Sequence, residues 1–204
     1  MKGQQRVIVE NVQPVVDGGI YPAKRTVGER VDVTASIFAD GHDHVRAEVL
    51  YKYGASGAWV SVEMQPGVND VWSASFYVPQ KGSYYFVVEA WVDHLDTWFD
   101  GIKKKIAAKL DVKVELAEGG AFLKAVGKSE TQLASWAEIL TSATKSKEAV
   151  EIVLSQKFQA AVIAHPLRQF VNRTPKELEI RVEHSKALFS TWYELFPRSS
   201  FFLE

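Results

Sequence analysis

The sequence lacks cysteine, which excludes disulfide bridges, zinc–thiolate sites and cysteine nucleophiles. It also lacks an excess of either charge, because 24 basic and 25 acidic residues leave a formal net charge of −1. A nearly neutral chain gives no field-driven attraction to nucleic acid or to an anionic membrane. No apolar run approaches the roughly 18 residues that span a bilayer, and residues 1–6 have no apolar signal segment. These absences predict a folded, cytoplasmic protein that binds neither nucleic acid nor a membrane.

Catalytic motifs are missing as well. There is no G-x-S-x-G elbow for a hydrolase triad, and the glycine pairs at 18–19 and 119–120 lack the flanks of a phosphate-binding loop. Two groups of acidic and histidine residues remain, at 40–44 and 93–96. We expect turn hydrogen bonding from the first group and helix capping by Asp96 or Thr97 from the second. The sequence therefore predicts no catalytic residue, no metal site and no cofactor.

Alternation of apolar and polar residues dominates the first 98 positions. It is clearest at 31–37, 45–51, 72–78 and 84–92. A period of two is that of a β-strand, because successive side chains point to opposite faces. Glycine-containing turns separate these segments. Short strands at such spacing predict a β-sandwich of immunoglobulin-like architecture.

A helical period replaces the alternation after Trp98. Ile102, Ile106 and Leu110 are four positions apart, which places them on one face, and the lysines at 103–105 face away. This spacing predicts an amphipathic helix.

Further helices are predicted along the next segment. Ser129 and Gln132 resemble a capping box at a helix start, and helical spacing extends from 150 to 162. Residues 111–116 fit either a strand or a helical turn. The glycine pair at 119–120 favours a break in the chain direction there.

Period two returns at residues 178–182, where Leu178, Ile180 and Val182 alternate with charged residues. A helical block between strands is best explained as an insertion into the sandwich. Otherwise residues 177–198 would form an isolated hairpin, which is marginal in water. We predict an α+β fold in which an immunoglobulin-like β-sandwich, residues 1–98 and 177–202, carries a helical insertion before its last strands, residues 99–176.

Tryptophans are candidate sugar-binding platforms, because exposed aromatic rings serve this role in sugar-binding modules. Trp72 and Trp136 lie on the apolar faces of their elements, so we expect them in the core. Trp91 shares the second face of its strand with Tyr85 and with charged residues. That face is either a ligand platform or a packing surface for the helical insertion. The candidate glycan-binding residues are Trp91, Tyr85 and Trp59.

The segment near the C-terminus is apolar on both faces. Leu188, Trp192 and Phe196 alternate with Phe189 and Tyr193. A strand of this kind needs cover on both sides. We therefore expect the chain to be the front of a larger protein, with Leu188, Trp192 and Phe196 at a domain or dimer interface.

Five segments, in order along the chain, carry a resemblance to a known family. They read IVENVQP at 8–14, DGG at 17–19, IFADGHD at 37–43, EAWVDH at 89–94 and WYELFPRS at 192–199. Together they resemble the N-terminal region of the bacterial α-1,4-glucan:maltose-1-phosphate maltosyltransferases, α-amylase relatives within glycoside hydrolase family 13.

The resemblance implies an immunoglobulin-like sandwich with a helical insertion, followed by a catalytic (β/α)-barrel. It implies a parent enzyme that elongates α-1,4-glucans from maltose 1-phosphate without a metal or organic cofactor, and a part for this region in homodimer assembly. Barrel enzymes of this type need an aspartate nucleophile and a glutamate acid/base at strand ends, and no motif for either occurs in the sequence.

Three functions follow as hypotheses. The first is a non-catalytic module, inactive alone, that serves domain packing with the missing barrel and dimer assembly. The alternative is an α-glucan-binding module of a glycoside hydrolase. The third is an independent enzyme, which would require acid/base residues gathered in a pocket.

Overall fold

The computed structural model describes residues 6–127, 130–142, 144–189 and 194. Within them the chain has a mixed α/β architecture with two sheets and five α-helices. The strands are β1 (Val7–Gln13), β2 (Ala23–Thr26), β3 (Arg30–Ala39), β4 (Val45–Tyr53), β5 (Val60–Glu63), β6 (Gln65–Pro66), β7 (Val71–Tyr77), β8 (Gly82–Asp93), β9 (Arg168–Arg173) and β10 (Leu178–Glu183). The helices are α1 (His94–Ala107), α2 (Lys113–Val126), α3 (Thr131–Thr141), α4 (Ser146–Leu154) and α5 (Gln156–Ala164).

The strands divide into a sheet of order β1-β3-β7-β6 and a sheet of order β2-β10-β8-β4-β5, in which β9 also pairs with β8. Strand β8 organises the second sheet. It pairs with β4 along one edge, from Val45↔Val92 to Tyr53↔Tyr84, and with β10 and then β9 along the other. The helices leave the sheet at the end of β8, and the chain returns to the same strand through β9.

Both sheets contribute to one buried core. On β3, the alternate residues Val31, Val33, Ala35 and Ile37 are at most 1% exposed, as the period predicted. The core cluster draws on β1, β2, β3, β4, β7, β8 and β10. The strands predicted at 31–37, 45–51, 72–78 and 84–92 are confirmed as β3, β4, β7 and β8.

The helices bury a second, separate cluster of side chains. Ile102 of α1 is buried there and Ile106 is partly buried, as the helical spacing predicted. Leu110 lies beyond the end of α1 and is 58% exposed, so it does not share their role. Trp136 is buried in the same cluster, which confirms its prediction as a core residue.

The predicted break at the glycine pair is wrong, because α2 runs through both residues without interruption. A Cβ on Gly119 would lie within 2.5 Å of three ring atoms of Trp98, and one on Gly120 would lie 2.5 Å from the Thr141 Cγ2. These glycines are present because neighbouring elements pass too close for a side chain, and their turn-forming capacity is not used.

Two more details differ from the predicted helices. The segment 150–162 forms two helices that meet at Ser155, whose Oγ accepts a hydrogen bond from the Phe158 N–H at 3.2 Å and so caps α5. Ser129, the proposed capping-box residue, lies outside the described residues. Strand β9 was not predicted, and it contains a bulge at which Phe170 adopts a φ of 52°.

Candidate functional site

The outer face of the second sheet carries the three candidate glycan-binding residues. Trp91 is 3% exposed, and the Arg168 Cζ lies 4.1 Å from its ring centroid. Trp59 and Tyr85 are half-buried, and the Lys52 Nζ lies 4.4 Å and 5.7 Å from their ring centroids. The fold thus brings Trp59 and Tyr85 to one cation. Trp91 is six residues from Tyr85 along β8, which is about 20 Å in a strand.

Ion pairs occupy the space between these aromatic residues. Glu48 and Glu89 are directly opposite each other on β4 and β8. The Arg168 Nη2 lies 2.6 Å from an oxygen of each carboxylate, and the Arg173 Nη1 lies 3.1 Å from Glu89. We call these four residues the arginine–carboxylate network. Charge-assisted hydrogen bonds thus connect both carboxylates to β9.

Asp93 joins the sheet to the helices at the end of this face. Its side chain is fully buried, and its Oδ1 accepts hydrogen bonds from the Asp96 N–H at 3.2 Å and the Leu167 N–H at 3.1 Å. One carboxylate therefore ties together the end of β8, the start of α1 and the approach to β9. Burial raises the pKa of Asp93, which these two backbone hydrogen bonds partly offset. The cap of α1 is Asp93, so the prediction of Asp96 or Thr97 as the capping residue is wrong.

The fold pairs the two groups of histidine and aspartate residues, which are more than 50 residues apart in the sequence. The His44 Nδ1 lies 2.8 Å from Asp96 Oδ2, and the His94 Nδ1 lies 3.8 Å from Asp43 Oδ1. Arg6 binds Asp43 at 2.8 Å from the other side. No three His, Asp or Glu residues within the described ranges are placed to hold a metal ion. These contacts fasten the β3–β4 turn to the first turn of α1.

The predicted interface residues are only partly covered by the structure. Leu188 ends a short 3₁₀ turn, Ser185–Leu188, and is 61% exposed. The adjacent Phe189 is 84% exposed. Trp192 and Phe196 lie outside the described residues. An interface at these positions therefore stays a prediction.

A cleft of about 710 Å³, which was not predicted from the sequence, lies between β4 and β5 of one sheet and β7 of the other. We call its aromatic residues the tyrosine cleft, comprising Tyr51, Tyr53, Phe76, Tyr77 and Tyr84. The Tyr51 ring stacks on Phe76 with centroids 4.0 Å apart, and Tyr53 meets Tyr84 edge-on at 5.1 Å. The alternation of tyrosines at 51 and 53 was a visible signal. Their meeting with β7 depends on how the two sheets lie together.

No helix in the described parts of the chain is both long and apolar enough to cross a membrane.

Comparison with known proteins identifies the family to which the chain belongs. The family model described as "Alpha-1,4-glucan:maltose-1-phosphate maltosyltransferase, domain N/S" matches residues 5–184.

Three similar proteins carry the name α-1,4-glucan:maltose-1-phosphate maltosyltransferase. That of Chlorobaculum tepidum is 39% identical over 97% of this chain and 30% of its own length. That of Methylacidiphilum infernorum is 32% identical over 97% of this chain and 30% of its own length. That of Myxococcus xanthus is 34% identical over 95% of this chain and 31% of its own length. The chain thus spans less than a third of each of these relatives. It belongs to the domain N/S family of the α-1,4-glucan:maltose-1-phosphate maltosyltransferases, of which it represents the N-terminal region.

Proposed function

We propose that the chain is a non-catalytic N-terminal module of a cytoplasmic maltosyltransferase that elongates α-1,4-glucan from maltose 1-phosphate. Its role is domain packing and dimer assembly. The observation that carries the proposal is the coverage, because the chain matches the N/S-domain family over most of its length and accounts for only 30% of a relative. The catalytic machinery then belongs to the remainder, for which a (β/α)-barrel is our expectation.

The charged groups of the described residues support a non-catalytic role. A glycosidase-type reaction needs two carboxyl groups across a substrate, one of them able to donate a proton. The opposed pair Glu48 and Glu89 shares Arg168. The buried Asp93 is used as a helix cap. These carboxylates serve the fold.

The exposed apolar residues support a packing role. Leu188 and Phe189 follow β10 and present large apolar side chains to solvent, which costs free energy unless another surface covers them. We propose that the following catalytic part, or a second subunit, covers them.

We also propose that the two sheets form an immunoglobulin-like sandwich, residues 1–98 and 177–202, with a helical subdomain at 99–176. The separate buried clusters of sheets and helices support this division. The helices extend to His94 on one side, and β9, within the proposed subdomain range, pairs with the sheet. Asp93 thus lies at the junction between the sheets and the helices.

Separate expression tests the packing role. The chain and the polypeptide encoded after it are produced as two proteins and mixed. We expect a complex in size-exclusion chromatography with light scattering, with the mass of a dimer of heterodimers. Leu188→Asp should weaken the complex, whereas Leu154→Asp, at a residue of similar exposure on α4, should not. Failure of the two polypeptides to associate, or equal effects of the two substitutions, would contradict domain packing. A complex with only one copy of each polypeptide would contradict dimer assembly.

α-Glucan binding is the second candidate function. The tyrosine cleft favours it, since aromatic clefts with a few hydrogen-bonding groups are typical ligand sites.

A further inference from the structure

The tyrosine cleft lies at an open side of the two-sheet core. Strand β6 pairs with β7 only at Trp72 and Ser73. Beyond Ser73, no described strand pairs with that edge of β7, and the cleft runs along it toward β5. Its volume of about 710 Å³ falls within the roughly 300–1,000 Å³ of small-molecule sites.

We propose that the tyrosine cleft binds a neutral oligosaccharide, a segment of α-1,4-linked glucan, and does not bind the phosphorylated maltosyl donor. The choice of glucan rests on the proposed function of the parent enzyme. The choice of a neutral, ring-shaped, hydroxylated ligand rests on the cleft itself.

Aromatic rings supply the apolar part of the recognition. Tyr77 is 64% exposed and Tyr53 is 47% exposed, so both can be contacted from solvent. The rings behind them are fixed, because Tyr51 stacks on the buried Phe76 with an interplanar angle of 8°. Pyranose rings have C–H-rich faces that pack against aromatic surfaces, and tyrosine offers a large rigid face at low entropic cost.

Hydroxyl groups of the cleft divide into two sets. The Tyr53 hydroxyl donates to the Lys81 carbonyl at 2.9 Å, and the Tyr84 hydroxyl accepts from the Gln80 N–H at 3.2 Å. These two bonds hold their rings in place. The hydroxyls of Tyr51 and Tyr77 and the side-chain amide of Gln80 make no hydrogen bond to another described residue. They are available to sugar hydroxyl groups, which both donate and accept.

Charge is turned away from the cleft. Lys52 is the one charged residue along its described lining. Its Nζ lies on the opposite face of β4, 2.9 Å from Glu177 and over the Trp59 ring. A phosphate group would find no cation to pair with there, and its desolvation would oppose binding. This is the reason for preferring the glucan to maltose 1-phosphate.

Tyrosine-selective NMR of the 204-residue chain tests the proposal, since seven tyrosines give seven ring environments. On titration with maltoheptaose we expect saturable shifts in the rings of the tyrosine cleft, with a dissociation constant on the order of 1 mM. Tyr77→Ala should weaken binding about tenfold, and Tyr77→Phe should weaken it less. Tyr21→Ala, at a tyrosine of similar exposure outside the cleft, should leave the dissociation constant unchanged. Circular dichroism checks that each variant is folded.

Three results would overturn the proposal. These are the absence of any shift at millimolar maltoheptaose, binding that Tyr77→Ala leaves intact, and tighter binding of maltose 1-phosphate than of maltose. None of these results would contradict the proposed role in domain packing, which the association experiment tests independently. If the two polypeptides fail to associate but maltoheptaose still shifts the tyrosine signals, the packing role is contradicted and glucan binding in the tyrosine cleft is supported.

Discussion

Replacement of Gly119 by alanine probes how closely the helices pack. Gly119 lies within α2, where alanine is intrinsically favoured over glycine by about 1 kcal/mol. The added Cβ would nevertheless lie 2.5 Å from two atoms of the Trp98 ring and nearer still to a third. Normal carbon contacts are about 3.5–4 Å. The substitution therefore sets a propensity gain against a steric clash.

The Trp98 ring has little room to yield. It is 7% exposed, its Nε1 donates to the Glu115 carbonyl at 2.7 Å, and it meets Phe158 at a centroid distance of 6.2 Å. Overpacking of this kind costs about 1–3 kcal/mol, and the near-total overlap places this case at the upper end. After the propensity gain of about 1 kcal/mol, the free energy of unfolding should fall by about 2 kcal/mol.

Thermal unfolding with near-ultraviolet circular dichroism measures the change. A loss of about 2 kcal/mol lowers the melting temperature by about 4–8 °C for a chain of this size, and the tryptophan signal should change. Gly101→Ala is the matched control, because it also lies in a helix and its Cβ would meet nothing within 4 Å. It should stabilise the protein by up to about 1 kcal/mol. Equal stability of Gly119→Ala and Gly101→Ala would contradict a steric clash between Gly119→Ala and the Trp98 ring.

Two further predictions concern charged groups. Arg168→Ala leaves Glu48 and Glu89 opposed with only Arg173 between them, and should lower the free energy of unfolding by about 2 kcal/mol in urea. Arg30 is more exposed and forms its ion pair within its own strand, so Arg30→Ala should change the free energy of unfolding by less than about 0.5 kcal/mol. Equal losses from the two substitutions would contradict a stabilising role for the arginine–carboxylate network. Because burial raises the pKa of Asp93 above its ordinary 3.8, its stabilising contribution is complete below that value and is lost as the pH rises through the raised pKa. In urea titrations, the free energy of unfolding of wild type should therefore fall relative to that of Asp93→Asn as the pH rises through the raised pKa of Asp93. A wild-type value that stays constant or rises relative to the variant would show the sign to be wrong.

Strands and helices with one buried face could be predicted from period alone. On β3 every second residue is buried, and on α1 Ile102 and Ile106 recur at helical spacing. Strand β9 escaped prediction because the bulge at Phe170 breaks its alternation. The glycine pair in α2 was misread because the neighbours that leave no room for side chains, Trp98 beside Gly119 and Thr141 beside Gly120, lie on other helices.

The candidate sites depended on contacts that no local pattern reveals. Trp91 and Tyr85 share a strand face, as predicted, but the cations over Trp91 and Trp59 come from β9 and β4. The capping residue of α1 was predicted three or four positions too late, because Asp93 is also the last residue of β8. The tyrosine cleft forms between strands of two different sheets, so no single segment of the sequence indicates it.

Phosphate release from maltose 1-phosphate tests most directly whether this chain is a non-catalytic module. The 204-residue chain is incubated with maltose 1-phosphate and maltoheptaose, alone and together with the polypeptide encoded after it. We predict no phosphate release above an enzyme-free control for the chain alone, and phosphate release when the two polypeptides are combined. Sustained turnover by the chain alone would contradict it.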